Sequence, residues 1–362
     1  MKRLINLIII FVFGYLFFMS ACTREIHKFQ YDQILDGKYD SEFPLKPASS
    51  ALKEVLQSVR LISILTFYDS YDYKKESKTD VSILRNKTLK QDASVKYGYD
   101  RPANGSSTII YYHNNKVALL TCAHIVNFPD TVITYFKDNL GKDTPYIQNI
   151  SIKIGQNNSL IDMPELNDFK ILVMDRERDL ALVGKDLSIN PLNLVERDLI
   201  TANRQPIKVL SCKLGLAAEL DWGCFVYMLG YPRAKKMVST AVVSSPNYDQ
   251  RNSFLLDGSL QRGISGGLVL AVRDGIPNLE LVGITNAVSS EVQYILEPEK
   301  NFNISEWDLT RPYDGDVFVR AYQSTYYGIT YAIGIETVLD FINKNASALV
   351  DQGYDLEYFF KE

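Results

Sequence analysis

Three short segments constrain this chain most, because each places a chemically reactive residue beside an apolar run typical of a strand. His124 follows the run Val117 to Leu120, so we expect it where a strand ends. Asp179 opens the run Leu180 to Val183, which is typical of a buried strand. Ser265 lies in a Gly-Ile-Ser-Gly-Gly sequence with another apolar run directly behind it. The sequence therefore predicts a β-rich chain with His, Asp and Ser at strand ends.

The glycines around Ser265 favour a tight turn, because glycine adopts backbone conformations that other residues avoid. Such a turn can point the hydroxyl outward and direct two backbone N–H groups towards one point. A pair of donors of this kind stabilises the oxyanion of an acyl-transfer intermediate. We therefore predict Ser265 as the nucleophile and the N–H groups of Gly263 and Ser265 as the oxyanion hole. His124 would take the proton, and Asp179 would orient the imidazole.

Each of these residues also has an ordinary explanation when it is taken alone. A His at a strand end, an Asp before a strand and a Gly-rich turn with a Ser are all common. However, the chain has three histidines. His27 lies just after the N-terminal apolar segment, and His113 precedes Asn114-Asn115, which predicts a hairpin turn. Only His124 has the setting of a site, so the combination favours a catalytic triad.

The order His, Asp, Ser is that of the chymotrypsin-type fold. The chain resembles the trypsin-like serine peptidases, and among them the bacterial HtrA-like branch, over about residues 63–342. The motifs that carry the resemblance are Thr121-Cys122-Ala123-His124, Asp179-Leu180-Ala181-Leu182, Met228-Leu229-Gly230-Tyr231-Pro232 and Gly263-Ile264-Ser265-Gly266-Gly267.

This resemblance implies an all-β fold of two six-stranded antiparallel β-barrels of the chymotrypsin type, followed by a C-terminal helix. The peptidase domain would comprise residues 48–362. Its first barrel is expected at about 59–186, its second at about 206–335 and the C-terminal helices at 336–358. The implied activity is that of a serine endopeptidase, which acts on a polypeptide substrate and needs no cofactor.

The resemblance also implies a specificity pocket. Ser259, six residues before the nucleophile, would lie at its base, while Asn286, Ala287 and Val288 would form one wall. A neutral base argues against Arg or Lys at the cleaved position, because a buried ammonium would lack a partner charge. The bulk of Val288 predicts a shallow pocket for small or medium apolar side chains.

Ile264 departs from the family pattern, since the digestive enzymes have Asp before the nucleophile and the HtrA-like branch usually has Asn. The absence of that Asp predicts that no zymogen cleavage is needed. The departure also keeps an alternative function open. In that alternative the chain is a catalytically inactive trypsin-fold lipoprotein that binds polypeptide or glycan without cutting it.

The N-terminus predicts export and lipid anchoring. A basic Met1-Lys2-Arg3 precedes sixteen residues that are apolar apart from Asn6, which is short for a membrane span and typical of a secretory signal. The closing Ser20-Ala21-Cys22 resembles a bacterial lipobox. We expect residues 1–21 to be a lipoprotein signal peptide, Cys22 to be lipidated and residues 22–47 to be a tether. An uncleaved anchor or a signal cut nearby is the alternative. A lipidated Cys22 predicts a bacterial cell-envelope protein that is held to the membrane by lipid.

The cysteine and histidine content and the charge bear on disulfides, metal binding and nucleic-acid binding. Cys212 and Cys224 could form a disulfide or stay as free thiols. The sparse His and scattered Cys show no metal-ligand spacing, so we expect no metal. The net charge is −4 and the basic residues are dispersed, which argues against nucleic acid as a partner.

Residues 291–323 exceed the needs of a hairpin turn and are expected to form a long loop near the cleft.

Overall fold

Runs of β-branched and aromatic residues fold into two antiparallel β-sheets, because such side chains pack well on a pleated surface. The computed structural model describes residues 35–83, 89–138, 140–188, 206–249, 251–258, 261–298, 302, 307–308 and 310–360. From residue 36 onward these belong to one compact unit. The predicted signal peptide, Cys22 and the first part of the predicted tether lie outside the described residues.

The first sheet has the spatial order β4-β5-β1-β2-β3-β7-β6. Its strands are β1 (Val59–Asp72), β2 (Val95–His113), β3 (Lys116–Cys122), β4 (Thr131–Lys137), β5 (Asp143–Leu160), β6 (Lys170–Asp175) and β7 (Leu180–Asp186).

This sheet is a half-barrel in the described residues, where the sequence predicts a closed six-stranded barrel. Its two edge strands lie at different levels along the sheet. β4 pairs with the part of β5 that lies beside the C-terminal end of β1. β6 pairs with β7, and β7 pairs with β3. β3 in turn lies beside the C-terminal part of β2, whereas the C-terminal end of β1 lies beside the N-terminal part of β2. The edge strands β4 and β6 therefore do not meet, and the sheet stays open between them.

The second sheet closes into a barrel. Its strands are β8 (Lys213–Leu214), β9 (Phe225–Gly230), β10 (Met237–Ser245), β11 (Phe254–Gly258), β12 (Leu268–Val272), β13 (Leu279–Pro298) and β14 (Val317–Gly334). Six of them run in the order β12-β9-β10-β11-β14-β13, and β12 pairs with β13 to complete the ring. β8 adds to β13 as a short parallel strand. The predicted all-β class is confirmed, and this ring of six strands is the closed barrel that the sequence predicts second along the chain.

Five α-helices are described over their full length, and they are α1 (Ser49–Leu56), α2 (Leu89–Asp92), α3 (Ala123–Val126), α4 (Ile335–Lys344) and α5 (Ala346–Asp351). The helix α4 follows β14 directly and confirms the predicted C-terminal helix. It buries Val338, Phe341 and Ile342, whose spacing places them on one helical face. None of the helices in the described part of the chain has the length and apolar character needed to span a bilayer.

A continuous apolar core joins the first sheet, the facing side of the second barrel and α4. It includes Leu119 of β3, Leu270 of β12 and Phe341 of α4, all of which are fully or almost fully buried. The two sheets therefore pack directly against each other. Residues contributed by either sheet can meet at this interface.

Residues 291–298 and 317–323, at the two ends of the segment 291–323, are strand, so the expectation of a loop is wrong for these residues. The strands β13 and β14 stay paired from Ser290 and Thr325 out to Pro298 and Val317. Alternating β-branched and aromatic residues favour this pairing over a loop. We refer to residues 290–298 and 317–325 as the long hairpin. Beyond its paired part, the rings of Phe302, Trp307 and Tyr313 lie 5.0–5.6 Å apart, centroid to centroid.

Residues 36–40, which the sequence assigns to the tether, pack against the second barrel. Tyr39 forms a β-bridge with Arg273. The backbone of Asp40 makes hydrogen bonds of 2.8 Å to the last residue of β12 and to the first residue of β9. These residues therefore belong to the folded unit, because their backbone groups are paired with barrel strands.

The side chain of Tyr39 fixes this segment in place. Its buried hydroxyl donates to Glu280 at 2.9 Å and accepts from the Leu216 N–H at 2.9 Å. The Arg273 guanidinium lies over the ring, 4.0 Å from its centroid, and also donates to Glu280. Burial alone would raise the pKa of the Glu280 carboxyl, but the hydrogen bonds from Lys213, Arg273 and Tyr39 lower it. Glu280 is therefore a buried carboxylate with three donors.

We expect Tyr39→Ala to lower the free energy of unfolding by about 3–5 kcal/mol, the usual cost of removing a large buried aromatic side chain. Tyr39 is 6% exposed, whereas Tyr112 on β2 is 41% exposed and serves as the control. Tyr112→Ala should change stability by about 0.5 kcal/mol or less, as surface substitutions usually do. Urea denaturation of the three proteins gives the comparison. Equal stabilities for both variants would show that residues 36–40 do not contribute to the fold.

Candidate active site

Strand pairing brings His124 and Asp179 together. His124 lies in α3, directly after β3, and Asp179 directly precedes β7. These strands pair with Cys122 opposite Leu180. His124 Nδ1 lies 2.6 Å from Asp179 Oδ2, and the His124 backbone N–H donates to Oδ1 at 2.7 Å. The N–H of Ala123 donates to the Asp179 carbonyl at 3.1 Å. The Asp179 carboxylate thus holds both the imidazole ring and the backbone N–H of His124.

The backbone of Asp179 is left-handed, with φ of 56°. Non-glycine residues pay a conformational cost in this region, although Asp tolerates it better than most. The hydrogen bonds to His124 and Ala123 hold the residue in place despite this cost. Strained residues of this kind cluster at functional sites.

Ser265 lies in the turn that leads into β12, and it is half-buried. Both flanking glycines adopt positive φ, with 100° at Gly263 and 82° at Gly266. A Cβ at Gly266 would lie 2.1 Å from the Ser106 carbonyl oxygen, and a Cβ at Gly263 would lie 2.6 Å from that of Tyr231. The turn therefore requires glycine at both positions for backbone conformation and for space.

Ser106, a fully buried residue of β2, ties this turn to the first sheet. Its N–H donates to the Ser265 carbonyl at 2.8 Å, and its hydroxyl donates to the Gly263 carbonyl at 2.9 Å. The same hydroxyl accepts from the Tyr231 N–H at 2.8 Å. Its carbonyl accepts from the Thr121 hydroxyl at 2.8 Å, close to the end of β3. We refer to these four hydrogen bonds as the Ser106 junction.

The sequence prediction missed the role of Ser106. The available signal was a run of small polar residues, Ser106-Ser107-Thr108, directly before the apolar Ile109 and Ile110 of the same strand. All three are fully buried. Buried polar side chains in a strand are informative because they must find hydrogen-bond partners.

The two N–H groups predicted for the oxyanion hole donate to no acceptor among the described residues. The Gly263 carbonyl points to the Ser106 hydroxyl, and the Ile264 N–H donates to Gln261 at 3.3 Å. By contrast, the N–H groups of Gly263 and Ser265 make no such bond. Buried or half-buried backbone donors are normally paired, so these two, which lack an acceptor in the described ranges, stay the predicted oxyanion-hole donors.

Ile264 packs into the core of the second barrel, together with Met228, Val269 and Val282. It is 1% exposed. The Thr285 hydroxyl donates to the Ile264 carbonyl at 2.7 Å. An apolar side chain therefore anchors the turn at this position by filling space in the barrel.

The Ser265 turn and α3, the helix that carries His124, belong to different sheets and come together at Gly105. A Cβ on Gly105 would lie 3.2 Å from the Ser265 carbonyl oxygen and 2.1 Å from the side chain of Ile125, the neighbour of His124. No hydrogen bond joins the Ser265 hydroxyl to His124 in the described residues. Catalytic hydrogen bonds often tighten only when substrate is bound. The role of Ser265 as nucleophile stays a prediction.

The predicted pocket is described only in part. Ser259 lies outside the described residues. Asn286 is half-buried on β13, next to Thr285. Ala287 and Val288 continue β13, with Val288 opposite Thr330 of β14, but their side chains are not among those described. The shape and preference of the pocket stay predictions.

The three described cysteines are free, so Cys212 and Cys224 do not form a disulfide. Burial raises the pKa of the Cys212 thiol to about 12. The Cys122 thiol lies within 4.8 Å of the side chains of His124 and Asp179. Its complete burial raises its pKa well above the usual value. Because nucleophiles and metal ligands need the thiolate, this position is unfavourable for either role.

Comparisons with known proteins add a distant likeness. No family model and no curated protein matches the chain. It is similar to the solved structure of the HtrA-type protease AlgW with tripeptide, with a TM-score of 0.40 and 14% identity, covering 85% of this chain and 65% of that one. A variant of AlgW, also with tripeptide, gives a TM-score of 0.39 and 14% identity, covering 83% and 64%. The chain thus spans about 65% of the length of these structures, and a likeness at this level assigns no activity.

We expect Ser106→Ala to destabilise the protein by about 2–4 kcal/mol, because it leaves the Gly263 carbonyl and the Tyr231 N–H unpaired at ~1–3 kcal/mol each. Ser107→Ala is the control, since Ser107 is equally buried but makes one long bond of 3.4 Å, to Arg60. That variant should lose about 1 kcal/mol or less. Guanidinium denaturation measures both. Similar losses for the two variants would contradict a special role for Ser106.

Proposed function

We propose that this protein is a serine endopeptidase of the bacterial cell envelope that hydrolyses peptide bonds through His124, Asp179 and Ser265. One observation carries the proposal. The doubly hydrogen-bonded pair of His124 and Asp179 lies at the same sheet interface as a glycine-held Ser turn. Within the described part of the chain, the N–H groups of Gly263 and Ser265 in this turn have no acceptor, and an acyl-transfer site needs two such donors.

The reaction follows from these positions. The Ser265 oxygen attacks the carbonyl carbon of the peptide bond while His124 takes the hydroxyl proton. Asp179 holds the imidazole in the tautomer that can accept that proton and stabilises the imidazolium. The N–H groups of Gly263 and Ser265 bind the oxyanion. His124 then gives its proton to the leaving amine, and water releases the acyl group from Ser265 by the same steps.

The proposed substrate is a polypeptide with a small or medium apolar side chain at the cleaved position. This preference rests on the neutral Ser259 and on the bulk of Val288. A peptide-library profile with a strong preference for Arg or Lys would contradict it.

Ile264 no longer favours the non-catalytic alternative. Its side chain fills the barrel core, so its presence before Ser265 is compatible with a well-formed turn. If the folded protein does not react with acylating reagents, the alternative of a binding protein without activity is supported instead.

A fluorophosphonate probe tests the triad directly, because it reacts only with an activated serine. We expect labelling at Ser265 in the native protein and none in Ser265→Ala. His124→Ala should label almost as poorly, since triad members act as a unit. Asp179→Asn should slow labelling by roughly 10⁴-fold, by analogy with the loss that the equivalent Asp-to-Asn change causes in trypsin. Ser188→Ala, an exposed Ser in the turn after β7, should label normally.

Circular dichroism must show that the variants are folded. Undiminished labelling of Ser265→Ala would overturn the nucleophile. A folded native protein that resists every acylating probe would support the binding alternative.

The anchoring part of the proposal rests on the sequence ending Ser20-Ala21-Cys22. Several acyl chains on Cys22 would hold the protein firmly to a bilayer, where one chain would be marginal. We expect the native protein in the membrane fraction of lysed cells. The Cys22→Ser variant should either be soluble or stay as a precursor that retains the signal peptide. Cys212→Ser, which changes a cysteine inside the folded unit, should fractionate like the native protein. A membrane-bound Cys22→Ser of mature size would exclude lipid anchoring at this residue.

A further inference from the structure

One face of the first sheet changes from apolar to polar along β1. Ile62 and Ile64 are fully buried in the apolar core. Side chains at alternate positions of a strand share a face, so the same face continues with Tyr68, Ser70 and Asp72. This end of the face therefore presents hydroxyl and carboxylate groups where the other end presents apolar surface.

A cavity of about 540 Å³ lies at this polar end. Its volume is within the range of about 300–1,000 Å³ that is typical of small-molecule sites. Four adjacent strands, β4, β5, β1 and β2, contribute to its lining. Their pairing sets Asp72 opposite Asn149 of β5 and Ser70 opposite Tyr97 of β2, so these side chains share the face on which the cavity lies.

Two tyrosines form the aromatic wall of this cavity. Tyr97 is 44% exposed, and Tyr99 is half-buried. The Tyr99 ring stacks on the ring of the buried Tyr68, with centroids 5.3 Å apart and planes 13° from parallel. The Tyr68 hydroxyl in turn donates to the Pro129 carbonyl at 2.8 Å. The aromatic wall is therefore supported from behind before any ligand arrives.

A closed ring of hydrogen bonds fixes the polar wall. The Asn149 amide donates to the Ser70 hydroxyl at 2.6 Å, and the Ser151 hydroxyl donates to Asn149 Oδ1 at 2.9 Å. The two serine hydroxyls lie 3.0 Å apart, so Ser70 donates to Ser151. The Asn149 amide also donates to Asp72 Oδ1 at 2.6 Å. Since Asp72 Oδ2 accepts no bond from the residues that the structure describes, it is a fixed acceptor with free capacity.

This combination of groups suits a carbohydrate. The C–H face of a sugar ring packs on an aromatic ring, while its hydroxyls bond to carboxylate and amide groups, which offer several acceptors and donors. The exposed Gln148 and Thr134 add an amide and a hydroxyl to the lining. Among the described residues that line the cavity, Asp72 is the only charged one. The cavity therefore favours a neutral ligand, because an acidic one would meet a like charge and no cation.

We propose that this cavity binds a neutral glycan, with Tyr97 and Tyr99 packing on sugar rings and with Asp72 and Gln148 bonding to hydroxyls. Tyr97 lies nine residues before Ser106 on β2, which is up to about 30 Å at roughly 3.3 Å per residue. The glycan site is therefore separate from the candidate active site and does not depend on the proposed catalysis. A polysaccharide bound there would hold the folded unit while leaving the Ser265 turn free.

Isothermal titration calorimetry with neutral hexasaccharides tests the inference. The probes are cellohexaose, mannohexaose and N-acetylated chitohexaose. We expect the native protein to bind at least one of them. It should bind the corresponding hexasaccharide of β-linked glucuronic acid at least about tenfold more weakly, because that chain carries a carboxylate on every ring.

Variants of the two walls should weaken this binding. Tyr97→Ala should raise the Kd at least about tenfold, because it removes a ring that packs on the sugar. Tyr97→Phe keeps the ring and loses a hydroxyl that accepts only a long bond of 3.5 Å, from Asn149, among the described residues. Its Kd should therefore stay within about threefold of the native value. Asp72→Asn should raise the Kd about tenfold, because it replaces a charged acceptor.

Tyr112→Ala is the matched control, since Tyr112 lies on the same strand, is 41% exposed and does not line the cavity. Its Kd should equal the native value. Urea denaturation should show nearly the native midpoint for Tyr97→Ala, because the side chain is partly exposed. The same variant should react with the fluorophosphonate at the native rate, because it lies far from Ser265.

Absence of binding to all three neutral hexasaccharides, or equal affinities of the native and Tyr97→Ala proteins, would overturn the inference. So would a preference for the glucuronic acid chain. Proline-rich peptides also bind aromatic grooves, so decaproline is titrated in parallel. If decaproline binds and Tyr97→Ala removes that binding while no hexasaccharide binds, the cavity is a peptide site instead. If a glycan binds as expected but Ser265 proves unreactive, the glycan site stands and the proposed catalysis fails.

Discussion

The Ser106 junction is the contact on which the candidate site depends. His124 and Asp179 are held by the first sheet, whereas Ser265 belongs to a turn of the second barrel. Apolar packing between the sheets is not directional, so it cannot by itself fix a hydroxyl relative to an imidazole. Hydrogen bonds have preferred lengths and angles, and in a buried setting an unmade one is costly. Four such bonds at Ser106 therefore set the position of the turn relative to the end of β3.

A second polar contact supports the same interface. The Tyr231 hydroxyl donates to Asp162, beyond the end of β5, at 2.8 Å. Burial and this bond raise the pKa of the Tyr231 phenol. Lys236 lies over the same ring, 5.4 Å from its centroid. Tyr231 thus joins the two sheets with its side chain, while its N–H donates to Ser106.

Local patterns in the sequence were sufficient to predict a β-rich chain with His124 and Asp179 at strand ends, whereas the expected arrangement of the strands came from the resemblance. An apolar run that ends at a polar residue marks a strand end wherever it occurs. The pairing of β3 with β7 is not visible locally, because it depends on register between strands more than 50 residues apart. The role of Ser106 was missed for the same reason, since three of its four partners, Tyr231, Gly263 and Ser265, lie about 125–160 residues away. The two ends of the segment 291–323 were predicted wrongly because strands with exposed apolar residues and scattered acids resemble a loop by composition.

The docking of residues 36–40 has a mechanical consequence. Asp40 is bonded to the last residue of β12 at one side and to the first residue of β9 at the other. β12 is five residues long, and its opposite end emerges from the Ser265 turn. A pulling force applied to the chain before Tyr39 would reach β9 and β12 before any strand of the first sheet. The load would thus fall on hydrogen bonds of a closed barrel, which share it among six strands, and the half-barrel that holds His124 would carry little of it.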